Sequence, residues 1–380
     1  MSGVERRHTR LRSVIIGRWS EIATGRREAR GASAVLLGLL VLLSVPYGIA
    51  TAITQWVRAG RSSRLDVPVI SVGNLVVGGT GKTPLVIYLA RLLGERGRKV
   101  AIASRGYGRR ERGMVVVSEG GRPLVGWEHA GDEPVLIAML TKGVSVVVCA
   151  DRLAAARYAV DKLGADAILV DDGFQHVRLA RDLDIVAADA TRPVGNGHLL
   201  PGGTLRESPL AVGRADVIVA TRCGSDTGFE RVEATLGALA PELPVVATRM
   251  IPAEFWNVST GAPVNPRDVR RHRCLALSSI ASPTDFERTL KSVGVETVAR
   301  MSFPDHHRYT ESDHASALEL ARARGADMIM TTEKDAVRLS AWRPPIPLVA
   351  LGIELEVLSG GEALERAVER ALESGGANGP

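Results

Sequence analysis

The sequence predicts an α/β protein: a parallel-sheet domain, a smaller C-terminal α/β domain after it, and an N-terminal apolar helix ahead of both. Three observations carry this reading. From about residue 65 onward, short β-branched runs alternate with helical segments. One hydrophobic run leads into a glycine-rich turn at 78–81 and then into an amphipathic helix. Before all of this, residues 32–57 hold no formal charge.

The chain has 380 residues, more than a typical single domain, so two domains are expected. With 45% apolar and 24% charged residues it is ordinary globular material. Aromatic residues make up only 4%, which argues against a base-stacking platform for nucleic acid. The net charge of +6 suits an anionic partner. Part of that charge is local, since residues 1–31 contain eight Arg against three Glu. Cys149, Cys223 and Cys274 are too widely spaced for a disulfide framework or a zinc site, as expected of a reducing compartment.

The uncharged stretch reads ASAVLLGLLVLLSVPYGIATAITQWV and is long enough to cross a bilayer, which takes about 20 apolar residues. It starts too late and runs too long for a cleavable signal. Three readings stay open: a span, a helix lying in one leaflet, or a buried core helix. Arginines on both sides (Arg26, Arg27 and Arg30, then Arg58, Arg61 and Arg64) favour membrane association without choosing an orientation. Pro46 and Gly48 predict a bend or break in its middle.

Strands are expected at 67–72, 100–104, 144–149, 167–170, 184–187 and 217–220, with helices at 84–93, 133–140, 151–163 and 229–239. Continuous apolar strands separated by helices imply a parallel sheet covered on both faces. The proline-rich stretch 241–266 reads as a change of domain or a linker. A second series follows, with strands at 274–278, 297–299, 328–331 and 348–351 and helices at 284–292, 313–324 and 362–372. The tail 375–380 is expected to fray.

The segment VPVISVGNLVVGGTGKTPLVIYLARLL has the strand–turn–helix context of a phosphate loop, which makes the first domain P-loop NTPase-like. Gly78, Gly79 and Gly81 let backbone amides, with that of Thr80, approach phosphate oxygens at a helix N-terminus. Lys82 would sit on the β- and γ-phosphates and Thr83 would offer its hydroxyl to Mg²⁺. The general pattern asks for glycine at position 76, which is Val76 here. A second landmark, AILVDDGFQH, ends a strand in Asp171 and Asp172, one of which would face the metal. The string Thr332-Glu333-Lys334-Asp335 places its lysine one position too late to read guanine, so ATP is the expected nucleotide.

Several strings together resemble the tetraacyldisaccharide 4′-kinases of lipid A biosynthesis. They are SVGNLVVGGTGKTP (71–84), SRGYGR (104–109), GDEP (131–134), ADR (150–152), DDGFQH (171–176), LLPGGTLRE (199–207), FPDHHRYT (303–310) and TTEKDAVRL (331–339). Val76 belongs to that family's own loop. The resemblance implies transfer of the γ-phosphate of ATP, with Mg²⁺, to the 4′-hydroxyl of a tetraacyldisaccharide 1-phosphate in lipopolysaccharide biosynthesis. The implied partners are this membrane-embedded glycolipid and the cytoplasmic face of the bacterial inner membrane, with no nucleic acid. The implied organisation is a basic segment and membrane helix at 1–64, a nucleotide-binding kinase domain at 65–250, and a smaller α/β domain at 251–380 that closes over the cleft.

The resemblance makes Asp132 the catalytic carboxylate and His306 its partner. A sugar hydroxyl is a poor nucleophile at neutral pH, and a carboxylate that orients it and takes its proton assists the transfer. Read without the family, Asp132 is a helix-start acid and His306 a polar loop residue. Glu133 is either a metal-linked acid or a solvated first-turn residue. Gln175 and His176 are expected to line the cleft. Tyr107, Arg152 and Arg206 resemble residues on the substrate or phosphate side, with Arg206 the better exposed after its Pro-Gly-Gly turn. Glu333 and Lys334 read as a salt-bridged helix start or a nucleotide contact. Two rivals remain: a P-loop kinase for another amphiphile or sugar, and a membrane-tethered ATPase.

Overall fold

The computed structural model describes residues 22–23, 31–224 and 227–376. The basic N-terminal segment, with Arg26, Arg27 and Arg30, and residues 377–380 of the tail lie outside these. The chain forms two compact units that are not contiguous in sequence. One takes the described residues up to Lys82, Asp172–Arg249 and those from Val357 on; the other takes Thr83–Asp171 and Met250–Glu356. Residues 65–250 are therefore shared between the units, while Asp132 and His306 belong to the same one.

In the first unit, Val69–Gly73, Leu183–Asp189, Val217–Thr221 and the start of Val245–Asn257 lie side by side and parallel. Their registers pair Ile70 with Leu183, Ile185 with Val217 and Ile218 with Val245. The strands are buried along nearly their whole length, because a parallel sheet is covered on both faces. Val186, Ile218, Phe174, Leu205 and Val212 share one core cluster. Gly73 ends its strand against the Asp-Asp-Gly-Phe turn, where any side chain would collide with Phe174. That close approach brings the phosphate loop to the acidic turn.

The same unit carries the N-terminal helix, Ala32–Ala59, which continues through Pro46 without interruption. Its 28 residues amount to about 42 Å of helix. One stripe is polar and docked. Ser44 Oγ donates to the Leu199 carbonyl (2.8 Å), Tyr47 Oη to the Arg206 carbonyl (3.1 Å) and Gln55 Nε2 to Glu207 Oε2 (2.9 Å). Val35, Leu39, Leu42, Ile49, Ile53 and Trp56 are exposed. The helix thus turns its polar groups inward and its apolar groups outward, the reverse of a soluble surface helix.

In the second unit, Ala167–Asp171, Val100–Ser104 and Ser145–Val148 are parallel, and Val115–Glu119 joins the last of them antiparallel. A second parallel set is ordered Glu296–Ser302, Arg273–Ser278, Met328–Thr332 and Leu348–Ser359. The Val115–Glu119 strand was not among those expected. The stretch 241–266, read as a change of domain or a linker, holds the 13-residue strand Val245–Asn257, half-exposed around Pro252, and one boundary between the two units falls within it, between Arg249 and Met250. That exposure interrupts the apolar run by which strands are recognised in sequence.

Candidate active site

The phosphate loop is braced from within. Asn74, fully buried, donates through Nδ2 to the Val76 carbonyl (2.6 Å) and to Thr80 Oγ1 (3.0 Å). Thr221 Oγ1 donates to the Thr80 carbonyl (2.7 Å). Gly78 and Gly81 hold φ of 116° and 75°, values that strain any other L residue and free the turn's amides to converge on an anion. Val76 is buried and bridged to Leu205 within the core, so it anchors the loop to residues 199–206 by packing. Lys82 opens the helix Lys82–Glu95, and its Nζ lies 3.3 Å from Asp172 Oδ1.

The acidic turn treats its two carboxylates differently. Asp171 ends its strand buried and accepts from Ser104 Oγ at 2.8 Å. Asp172 adopts a left-handed φ of 54° and meets cations, with Lys82 beside it and Arg206 NH1 2.9 Å from both its oxygens. Arg206 also donates to Gln175 Oε1 (3.2 Å), and Gln175 Nε2 donates to the Asn74 carbonyl and to Glu207 Oε1, both at 2.8 Å. Glu207, buried, is a node that also receives Gln55 and Arg214. Through it the N-terminal helix is hydrogen-bonded to the phosphate loop's own support.

Asp132 is the first residue of the helix Asp132–Leu140, where the helix dipole favours an acid. Its Oδ1 accepts the Glu133 amide at 3.0 Å. Its Oδ2 lies 3.0 Å from His306 Nδ1 and 3.2 Å from Arg338 NH1. Burial alone would raise the pKa of Asp132; the His306 hydrogen bond and the charges of Lys334, His306 and Arg338 outweigh it and bring the value to about 2. Asp132 is therefore ionised at any physiological pH.

His306 sits at a left-handed φ of 59°, an uncommon backbone state of the kind that functional sites retain. In the neutral ring, Lys334 Nζ donates to Nε2 (3.2 Å), which leaves the proton on Nδ1 and aimed at Asp132. When the ring gains a second proton, Nε2 has Asp305 Oδ2 at 3.7 Å. Burial disfavours that charge, yet the hydrogen bond to Asp132 and the nearby carboxylates raise the pKa of His306 above the ordinary value. Lys334 Nζ also lies 3.3 Å from both Glu133 Oε1 and Asp305 Oδ1, and these acids hold its pKa up against burial. The exposed Tyr107 ring stands 5.5 Å from the His306 ring.

A family model described as tetraacyldisaccharide-1-P 4′-kinase matches residues 36–373. The chain belongs to that family. The tetraacyldisaccharide 4′-kinase of Anaeromyxobacter sp. (strain Fw109-5) is 43% identical over 357 residues, covering 92% of this chain and 95% of that one. The protein of the same name from Geobacter metallireducens is 40% identical, covering 89% and 99%. Among solved structures, an "apo" form of LpxK from Aquifex aeolicus in complex with ATP is similar at a TM-score of 0.71 and 31% identity. It covers 89% of this chain and 99% of its own.

Within this member of the tetraacyldisaccharide 4′-kinase family, the residues singled out from sequence form two groups. Lys82, Asp172, Gln175 and Arg206 are linked in the first unit; Asp132, Glu133, His306 and Tyr107 are linked in the second. Arg206, expected to be exposed, is engaged by Asp172. Glu133, weighed as a metal-linked acid, faces Lys334. Arg152 is buried at the start of its helix and donates to the Ala150 carbonyl (3.0 Å). The His176 amide closes the acidic turn on the Gly173 carbonyl (2.7 Å).

The oxygen donors of Thr83 and Asp171 suit a hard cation. Among the described residues no three His, Cys, Asp or Glu side chains gather into a metal cage. Sequence reasoning passed over Asn74, Glu207, Asp335 and Arg338. For Arg338 a signal existed: it follows Lys334 by four residues on the helix Glu333–Leu339, hence on the same face.

Proposed function

We infer that this protein is a kinase that transfers the γ-phosphate of ATP to the 4′-hydroxyl of a tetraacyldisaccharide 1-phosphate in lipid A biosynthesis. The relatives named for that reaction span nearly the whole chain, which supports the acceptor's identity. The observation that carries the chemistry is the pairing of buried Asp132 with half-buried His306. An ATPase that only drives motion has no need of a carboxylate and imidazole arranged for a sugar hydroxyl.

In this reading the amides of residues 78–81 and the Lys82 ammonium hold the β- and γ-phosphates. Thr83 and one of the paired aspartates would hold Mg²⁺, which would supply positive charge against the phosphate oxygens. Asp172 and Arg206 keep Lys82 in place before nucleotide arrives. Asp132 accepts a hydrogen bond from the acceptor hydroxyl and orients it. As the new oxygen–phosphorus bond forms and the bond to ADP breaks, the hydroxyl proton passes to Asp132 and then to solvent. A carboxylate of low pKa takes that proton late, which suits a loose phosphoryl-transfer transition state. His306 fixes the orientation of the carboxylate.

A disaccharide with four acyl chains stays in the bilayer, so the reaction belongs at a membrane surface, and bacterial lipid A synthesis assigns it to the cytoplasmic face of the inner membrane. The outward apolar surface of Ala32–Ala59 supports membrane association. The deciding assay incubates full-length protein in mixed micelles with ATP, Mg²⁺ and tetraacyldisaccharide 1-phosphate, and follows the lipid by thin-layer chromatography. A slower-migrating bisphosphorylated product is expected. ATP hydrolysis that ignores the lipid, with no such product, would favour the tethered ATPase.

A further inference from the structure

We infer that Arg338 is a positioning residue for phosphoryl transfer: it holds the Asp132 carboxylate from the buried side, and Asp335 holds it in turn. The inference rests on the role proposed above for Asp132.

The Arg338 side chain is 1% exposed. Its NH1 lies 3.2 Å from Asp132 Oδ2. Its NH2 lies 2.7 Å from Asp335 Oδ1 and 3.2 Å from the Ser279 carbonyl. Burying a guanidinium is costly unless its charge is used. Asp335 does not require it, because that carboxylate already accepts from the Ser279 amide (2.9 Å), Ser279 Oγ (2.6 Å), Thr332 Oγ1 (2.7 Å) and Tyr309 Oη (3.0 Å). What remains is Asp132. Moreover, NH1 makes no aligned hydrogen bond, so it acts on Asp132 as an ion pair and leaves the directed bond at Oδ2 to His306.

The charged and titratable groups around Asp132 are His306, Lys334 and Arg338. Behind them stand Asp305, Glu133, Asp335 and Tyr309. Lys334 and Arg338 both keep their charge across the working range, Lys334 because Glu133 and Asp305 hold its pKa up. Of the two, it is Arg338 that pairs directly with the Asp132 carboxylate from the buried side. It therefore keeps Asp132 ionised and fixed in place even when His306 is neutral. Burial and the Asp335 charge push the Tyr309 phenol up, so it remains a donor to Asp335.

The test uses full-length protein in micelles with ATP, Mg²⁺ and tetraacyldisaccharide 1-phosphate. Arg338→Lys keeps a cation; Arg338→Met combined with Asp335→Asn removes both ends of the buried pair, so that neither is stranded. Each is made with and without Asp132→Asn, and folding is checked by thermal melting. The double variant should lose ~10–100-fold in kcat with KM for ATP within about twofold. The acid limb of its kcat profile should lie at higher pH than in the wild type, because one of the charges that hold the Asp132 pKa down is gone. Arg338→Lys should recover part of the rate and show a smaller shift. In the Asp132→Asn background neither change should cost further rate.

Wild-type kcat and pH profile in folded Arg338 variants would overturn the inference, as would an equal loss in the Asp132→Asn background. Failure of both variants to fold would assign Arg338 to stability alone and overturn it too. If instead Asp132→Asn itself turns over normally, the reading of Asp132 falls, a separate result.

Discussion

Nδ1 of His306 lies 3.0 Å from Oδ2 of Asp132, a residue 174 positions away in the chain. A residue in a left-handed loop and a residue at a helix N-terminus are thereby joined into one acid–base pair. Asp132→Asn keeps the shape and removes the proton acceptor. A loss of roughly 10²–10⁴ in kcat is expected, with KM for ATP little changed. His306→Ala should lose less, in the same parameter. If Asp132→Asn chiefly weakened ATP binding, its role would be that of a nucleotide or metal ligand.

Lys82→Ala deletes the positive charge expected on the β- and γ-phosphates. Lipid phosphorylation should vanish while thermal stability holds, because its partner Asp172 keeps Arg206. Near-normal turnover by folded Lys82→Ala protein would be incompatible with the kinase reading.

Glu333 is buried and its carboxylate accepts the Ile353 amide at 3.1 Å. Burial pushes its pKa to about 7. A pKa higher in the folded than in the unfolded state means that this group's stabilisation is complete below about 4.5 and is lost as pH rises through about 7. The loss amounts to roughly 3 kcal/mol. Chemical denaturation at pH 5 and pH 8 should expose it, and Glu333→Gln should be the more stable protein at pH 8. Identical pH slopes for the two would refute the assignment.

Deleting residues 1–60 should release the protein from vesicles and raise the apparent KM for vesicle-borne lipid, since the exposed apolar face of Ala32–Ala59 goes with them. Co-sedimentation with vesicles measures the first effect. Wild-type protein that stays in the supernatant without detergent would rule out the membrane role.

Within full-length protein, Tyr47→Phe removes the hydrogen bond to the Arg206 carbonyl and leaves the apolar face untouched. A destabilisation of about 1 kcal/mol by denaturant titration, with vesicle binding unchanged, is expected. Lost vesicle binding would mean that this side of the helix meets lipid.

By itself the sequence determined the α/β class, the phosphate loop with Lys82, the acidic turn and the uncharged stretch. Each is a local signal: β-branched runs, glycines at fixed offsets and a run without charge are fixed by neighbouring residues. It also set Asp132 and His306 apart, but only through their place in family strings; spacing alone left them a helix-start acid and a loop histidine. The tertiary structure decided what those residues touch. It decided that Val76 is a packing anchor, that Arg206 pairs its charge with Asp172, and that the helix turns Ser44, Tyr47 and Gln55 toward hydrogen-bond partners while Leu42 and Trp56 face outward. It also decided that Arg338 reaches Asp132. These facts depend on contacts between residues up to some two hundred positions apart, such as Lys334 with Glu133. No local periodicity encodes them, because the partners become neighbours only when the chain folds.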